Sequence, residues 1–338
     1  MASVRDIAKR AGVSITTVSR VLNNHPYVSS DVREKVLAAA NQSRYVATVG
    51  KRSTNNIALI YTDESTLGSP FDAGLLDGIS QCMEEVDYDL MIMDARRARQ
   101  PGETYTQLFM RKGVRGVLLR TTAATRTMCE AIAGEGFPVM VVGDRFENPA
   151  VNFIYSESKD TSREAIEHLI GLGHQRILAC VNVVDDTDHS DRLQGYLEAL
   201  ESRGMEVDRR LIWRVPANRE GGSQLIKRII ALGSQRPTAA FITDPLAAVV
   251  ALCEAWKAGL KVPRDLSIVG VDDAEIRYTV FPEMTAVCQD SKRLGREAFS
   301  SLRGLIERDE SAGPPAGLIR KSLRTWLEVR GSSGPAPQ

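Results

Sequence analysis

Residues 3–24 read Ser-Val-Arg-Asp-Ile-Ala-Lys-Arg-Ala-Gly-Val-Ser-Ile-Thr-Thr-Val-Ser-Arg-Val-Leu-Asn-Asn, and the pattern is that of two short helices joined by a tight turn. Ser3 is placed to cap the first helix, with Asp6 three residues on as its capping-box partner. Ile7, Ala8 and Ala11 then repeat on one face. Gly12 supplies the left-handed backbone that ends this helix, and Val13 tucks under the turn. Ser14 caps a second helix whose buried stripe is Val18, Val21 and Leu22. That leaves Ile15, Thr16, Ser19, Arg20 and Asn23 facing outward. Small polar side chains and one Arg on an exposed face suit base edges and phosphates. An ordinary helical hairpin shares the two-helix pattern but does not ask for Ala-Gly-Val-Ser followed by Thr-Val-Ser-Arg-Val-Leu-Asn.

Those motifs, with Asp6-Ile7-Ala8, Val28-Ser29 and Arg33-Glu34-Lys35-Val36, resemble the headpiece of the LacI/GalR (lactose-repressor) family of transcriptional regulators. The resemblance covers residues 3–45. It implies a third helix capped by Ser29 and burying Val36, Leu37 and Ala40. It also implies that Ile15, Thr16 and Arg20 read bases, while Ser14, Thr17, Ser19 and Asn23 hold phosphates.

Charge divides the chain in the same place. The 338 residues carry 43 Lys and Arg against 43 Asp and Glu. Residues 1–52 hold nine of the basic and three of the acidic side chains, so a basic head precedes an acidic remainder. That asymmetry fits a nucleic-acid-binding module on a globular carrier. No apolar leader and no run of about 18 apolar residues is present, and a cytoplasmic protein associated with the bacterial nucleoid is expected, with no membrane partner. Five scattered cysteines (Cys82, Cys129, Cys180, Cys253 and Cys288) lack zinc-ligand spacing and read mostly as packing residues of a reducing compartment.

From Ile57 the chain alternates. Apolar runs at 57–61, 90–93, 116–119, 139–142, 177–181, 239–242 and 266–271 read as buried parallel strands. Amphipathic stretches near 73–86, 103–112, 160–172, 191–203, 221–232 and 246–258 read as the intervening helices. This is a doubly wound α/β body, long enough for two lobes. It resembles the effector-binding core of the same family, which shares its fold with periplasmic sugar-binding proteins. The carriers are Ser69-Pro70-Phe71, His168-Leu169-Ile170, Leu172-Gly173-His174, Asp191-Arg192-Leu193, Gly195-Tyr196, Gly259, Val262-Pro263 and Val269-Gly270-Val271-Asp272-Asp273.

The expected organisation is a helix-turn-helix headpiece over 1–47, a linker over 48–56 and an effector-binding and dimerisation core over 57–330. Within the core, an N-lobe takes 57–155 and 287–317, and a C-lobe takes 156–286 and 318–330. The Gly/Ser/Pro-rich end, 331–338, is expected to be disordered. A small ligand is expected in the cleft at the carboxyl ends of the strands. Ser69, Phe71, Asp144, Arg145, Arg192, Asp244, Asp272 and Gln289 are the side chains placed to hold it. An Arg with converging carboxylates and an aromatic wall suits the vicinal hydroxyls of a carbohydrate. By resemblance Arg192 and Asp272 are the leading positions. The implied partners are pseudo-palindromic double-stranded operator DNA, this effector and a second copy of the chain. No cofactor or metal is expected.

Two departures from the family stand out. Relatives have Asn before the Asp at 244, where this chain has Thr243, with one hydroxyl in place of an amide. Relatives also follow Tyr45 with a Pro-Asn step and a hinge helix whose Leu pries open a minor-groove base step. Here no Leu lies between Tyr45 and Ile57, and Gly50 disfavours a helix. Lys51 and Arg52 remain to touch phosphates.

An enzyme is the rival class, but no GxGxxG follows a strand, and neither GxxxxGK[ST] nor GxSxG occurs. The acidic cluster Asp185, Asp186, Asp188 and Asp191 lacks calcium-loop spacing and reads as a solvated loop before a helix. A transport receptor would share the core but not the DNA-binding head.

Overall fold

The computed structural model describes residues 3–23, 25, 27–43, 45, 48–49, 52–63, 67–307 and 318–337. The head comprises α1 (Val4–Ala11), α2 (Ile15–Leu22) and α3 (Ser30–Gln42). Ser3 and Asp6 form the expected capping box, Gly12 takes φ 66°, and Ser14 accepts from the Thr17 amide. Ser29 stands at the start of α3, but its side chain makes no capping hydrogen bond. The three helices close on Ile7, Val18, Val21, Val36 and Ala40, all fully buried.

The linker forms a two-stranded antiparallel ribbon, β1 (Thr48–Val49) with β2 (Arg52–Ser53), pairing Thr48 with Ser53 and Val49 with Arg52. Among the described residues, 48–56 contain no helix. Lys51 and the Arg52 side chain lie outside what is described.

Alternation of strand and helix follows. In order come β3 (Asn56–Tyr61), α4 (Pro70–Met83), β4 (Asp89–Asp94), α5 (Ala95–Ala98), α6 (Tyr105–Arg111), β5 (Val114–Arg120), α7 (Arg126–Gly134), β6 (Val139–Val142) and β7 (Phe153–Glu157). Then come α8 (Lys159–Gly171), β8 (Ile177–Asn182), α9 (Thr187–Ser202), β9 (Ile212–Val215), α10 (Arg219–Ala231), β10 (Ala239–Ile242), α11 (Pro245–Lys257), β11 (Ser267–Asp272) and β12 (Thr285–Cys288). The last are α12 (Ser291–Glu307), β13 (Arg320–Arg324) and β14 (Trp326–Glu328).

The described residues fall into two units. The first is Met1–Ser65, Ile79–Ile154 and Gly295–Lys321, and the second is Thr66–Gly78, Tyr155–Leu294 and Ser322–Gln338. The first is built on a sheet of order β13-β7-β6-β5-β3-β4, the second on β14-β12-β11-β10-β8-β9. Pairing is parallel from β3 to its neighbours β4 and β5 and on to β6 and β7, and likewise from β9 through β12. The edge strand β14 runs antiparallel to β12.

The strands read as unbroken apolar runs because helices cover both faces. In the second unit Leu178, Cys180, Ala240, Ile242 and Ile268 pack toward α10 and α11, while Ile177, Ala179, Phe241 and Val269 pack toward α8 and α9. Cys129, Cys180 and Cys288 are buried, and burial pushes each thiol up to about 12, which keeps them protonated and inert.

The end of the chain corrects the expectation of disorder. Ser332 is fully buried; its hydroxyl donates to the Ile268 carbonyl and accepts from the Thr285 amide at 2.8 Å. His174 bonds the Gly334 carbonyl at 3.0 Å, and the Ala336 amide donates to Leu172 at 2.9 Å. Small Ser and Gly side chains let this segment lie close against the sheet, where its backbone groups find partners. A compositional signal for disorder does not register that fit.

Candidate functional site

The reading face of α2 is open. Ile15 is 49% exposed; Thr16, Ser19, Arg20 and Asn23 are exposed too, and Thr17 is half-buried. Ser14 and Thr17 are tied by a hydroxyl pair at 2.8 Å, and Asn23 Nδ2 donates to the Ser19 carbonyl at 2.9 Å. These bonds hold the small polar groups on the helix surface while Val18 and Val21 anchor its back.

The second unit gathers a buried polar cluster at the carboxyl ends of β10 and β11. Asp186 caps α9 by accepting from the His189 amide at 2.7 Å. One turn into α9, Arg192 is 3% exposed. Its Nη1 donates to the Thr243 carbonyl at 2.9 Å and its Nη2 lies 3.8 Å from Asp188, while its Nε has no partner among the described residues. His189 Nδ1 meets the Thr243 hydroxyl at 2.9 Å, and burial holds the imidazole below its ordinary pKa. Asp244 caps α11, one carboxylate oxygen accepting from the Ala247 amide at 2.8 Å.

Asp272, expected among the effector-holding residues, is engaged within the protein. One carboxylate oxygen accepts from the Ala274 and Ile276 amides, both at 3.1 Å. The other accepts from the Arg277 amide at 3.2 Å and from Arg277 Nη1 at 2.6 Å. All four lone pairs are used, so Asp272 shapes the following turn, in which Glu275 takes φ 61°. Arg277 continues outward to Glu328 at 2.7 Å and the Tyr278 hydroxyl at 2.9 Å.

The neighbouring Asp273 faces Gln289. It is 7% exposed and accepts from Gln289 Nε2 at 2.5 Å, while its main-chain carbonyl accepts from the Ser291 hydroxyl at 2.7 Å. Burial pushes its carboxyl up to about 6, against the opposing pull of Arg192. Gln289 is 4% exposed, and its Oε1 has no partner among the described residues.

Of the remaining expected residues, Ser69 caps α4 together with Asp72, and Phe71 is buried in its first turn. That turn runs close to Asp273, because a Cβ at Gly74 would collide with Ser291 Oγ and stand 3.6 Å from the Asp273 carbonyl. Asp144 and Arg145 lie in the first unit. There Arg126 Nη1 holds both Asp144 oxygens at 2.7 Å and stacks its guanidinium 4.0 Å from the Phe146 ring centroid. Arg145 is exposed, and its carbonyl accepts from Arg126 Nη2.

Sequence reasoning missed His189, Asp273 and a hydroxyl cluster in the first unit, where Thr62 meets Thr125 at 2.6 Å and Thr121 meets it at 3.0 Å. Position just after a strand was the available signal for the threonines and for Asp273. The acidic loop is also accounted for: Asp185 pairs with Arg214 at 2.7 Å and Asp186 caps α9. No group of three metal-ligating side chains is found among the described residues.

Residues 3–47 match the family described as bacterial regulatory proteins, lacI family, and residues 166–333 match a periplasmic binding protein-like domain. The regulator DegA of Bacillus subtilis is 30% identical, covering 95% of this chain and 97% of its own length. The chain belongs to the LacI family of bacterial regulatory proteins. The repressor CytR of Escherichia coli is likewise 30% identical over 99% of this chain and 97% of its own. Among solved structures, a complex of the regulator CelR with cellobiose is 28% identical, with a TM-score of 0.67, 98% of this chain and all of that one covered. A LacI-family chain with these relatives is a DNA-binding transcriptional regulator and not an enzyme. Its fold, a helix-turn-helix head before an α/β core with two parallel-dominated sheets, is the one expected.

Proposed function

We propose that this LacI-family protein is a cytoplasmic repressor of metabolic genes that acts as a homodimer and is switched by a small hydroxyl-rich effector, a carbohydrate or a close relative. Operator contact falls to α2. Ile15, Thr16 and Arg20 read bases, and Ser14, Thr17, Ser19 and Asn23, with Lys51 and Arg52, hold phosphates. Two identical heads related by a two-fold axis read a pseudo-palindrome, since one head spans half of a useful site.

The effector reading rests on one observation, the buried Arg192–Asp273–Gln289 cluster. Arg192 Nε and Gln289 Oε1 are inside the protein without a partner among the described residues. Buried polar atoms left unpaired are costly, and a ligand that offers both a donor and an acceptor removes that cost. A hydroxyl does both at once. Arg192, Asp273 and Gln289 hold the hydroxyls, Ser69 and Phe71 border them, and Asp244 and Asp272 shape the surrounding loops. Asp144 and Arg145 belong to the first unit's part of the response. The CelR relative binds cellobiose, which makes di- and monosaccharides the first ligands to try.

A thermal-shift screen of sugars, nucleosides and purine bases against the full chain tests this. A sugar is expected to raise the melting point of the wild type and not of Arg192→Ala. A nucleobase that does so in place of every sugar overturns the carbohydrate reading. An unchanged response in Arg192→Ala moves the site elsewhere.

A further inference from the structure

In a helix-turn-helix regulator the head needs an orientation as well as a sequence preference, and the linker here offers no helix among its described residues to set one. The head instead belongs to the same unit as the first part of the core, and α6 is where the two meet. Gln107 on α6 is fully buried. Its Oε1 accepts from the Thr104 amide at 3.0 Å, completing the capping box of α6, and its Nε2 donates to the Val21 carbonyl at 2.6 Å. Val21 lies in the last turn of the recognition helix α2, where carbonyls lack the amide four residues on that continues the helix ladder. A core side chain thus caps the recognition helix from outside the head.

Two further contacts repeat the connection, and a third braces them from within the core. Met110, one turn along α6 and 3% exposed, is part of the head's own apolar cluster with Val18, Val21 and Leu37. Asn41 near the end of α3 donates to the Glu135 carbonyl at 2.5 Å. The Glu135 carboxylate in turn accepts from the Tyr105 and Thr106 amides that begin α6. Beside these contacts lies a cavity of about 20 Å³ bordered by Ala40, Asn41 and Tyr45 on the head and by Val114, Phe137 and Ile306 on the core.

We propose that α6 is a docking helix that fixes the orientation of the DNA-reading head on its own core. The docked head is the DNA-competent one. Docking uses the C-terminal end of α2 and the end of α3, and leaves Ile15, Thr16, Ser19 and Arg20 exposed. A released head reaches the competent orientation only part of the time, so its apparent affinity falls by that fraction. This rests on the reading of the head as the DNA-binding part.

Two near-isosteric changes test it. Gln107→Glu keeps the acceptor for the Thr104 amide but turns an acceptor toward the Val21 carbonyl, and Asn41→Asp does the same toward the Glu135 carbonyl. Neither residue is on the reading face. The first readout is independent of DNA. A fluorophore on Tyr27→Cys, in a Cys82→Ser/Cys253→Ser background, reports head motion by anisotropy decay. The parent is expected to decay with the tumbling of the full chain, and the double variant to gain a fast nanosecond component. A fast component already present in the parent overturns the docking, as does its absence from the double variant.

The second readout is affinity for duplexes that the wild-type chain selects from a randomised pool. The double variant is expected to bind roughly tenfold more weakly. Unchanged affinity overturns the role of docking in orientation. If the wild type selects no duplex, the reading of the head fails, and the anisotropy result still decides whether the head is docked.

Discussion

Arg20 is exposed near the end of α2, on the side opposite Val18 and Val21. Replacing it with Ala removes the longest base-reaching side chain of that face and is expected to cost about 1–3 kcal/mol of specific binding. A gel-shift titration on a selected operator measures this, and Thr16 substitutions in the same assay should alter sequence preference more than affinity. Asp273 carries a prediction of a different kind. Its folded pKa, about 6, lies above the ordinary 3.8, so between those values the folded state holds a proton that the unfolded state has released. The associated stability is complete below about pH 4 and is lost as pH rises through 6, and it amounts to about 3 kcal/mol at most. Asp273→Asn removes this dependence. Denaturant melts at pH 4.5 and 7.5 should therefore show the variant gaining on the wild type at the higher pH. The buried His189 works in the opposite sense, losing stability as pH falls, but it is common to both proteins and cancels in the comparison. Equal differences at the two pH values would show that Asp273 ionises normally.

Gly195 marks a close approach of α8 and α9. A Cβ there would collide with the Lys159 carbonyl and stand 2.9 Å from the Arg163 amide nitrogen, and helix backbone cannot turn aside as a side chain can. Gly195→Ala should cost about 1–3 kcal/mol through overpacking, despite the better helix propensity of Ala. Because α9 also carries Arg192, the same variant should weaken effector binding, and equilibrium unfolding with calorimetry reads both effects. An unchanged unfolding midpoint would mean that the helices separate without cost. The alternation of strand and helix was legible because apolar runs such as Val139–Val142 have both faces covered. The same criterion passes over β9 and β12. Ile212–Val215 lies at the sheet edge with Arg214 outward, and Thr285–Cys288 is four residues long. Such short strands are defined by their neighbours more than by their own pattern.

The linker bears on how the protein meets DNA. A ribbon of β1 and β2 presents no Leu wedge, so the operator should be bent less than a wedge would bend it, and its central base step should tolerate substitution. Affinity then leans on phosphate contacts and should fall steeply with salt. A circular-permutation bending assay reporting a strong central kink would refute this, as would strict selection of the central step.

What the residues determined alone is local. Capping boxes, a left-handed glycine and a helical apolar stripe act over three to five positions, so the head could be read directly from Ser3 to Asn23. Apolar runs covered on both faces made the α/β core legible in the same way. What only the tertiary structure decided depends on groups far apart in the chain. Asp272 shapes the turn after β11 because Arg277 and three amides converge on it, and Asp273 comes to lie beside Gln289. The end of the chain is held because Ser332 and Gly334 meet Ile268, Thr285 and His174. Gln107 reaches Val21 across 86 positions. Hydrogen-bond partners at such separations leave no periodicity in sequence, since a donor is matched to its acceptor only once the fold has brought them together.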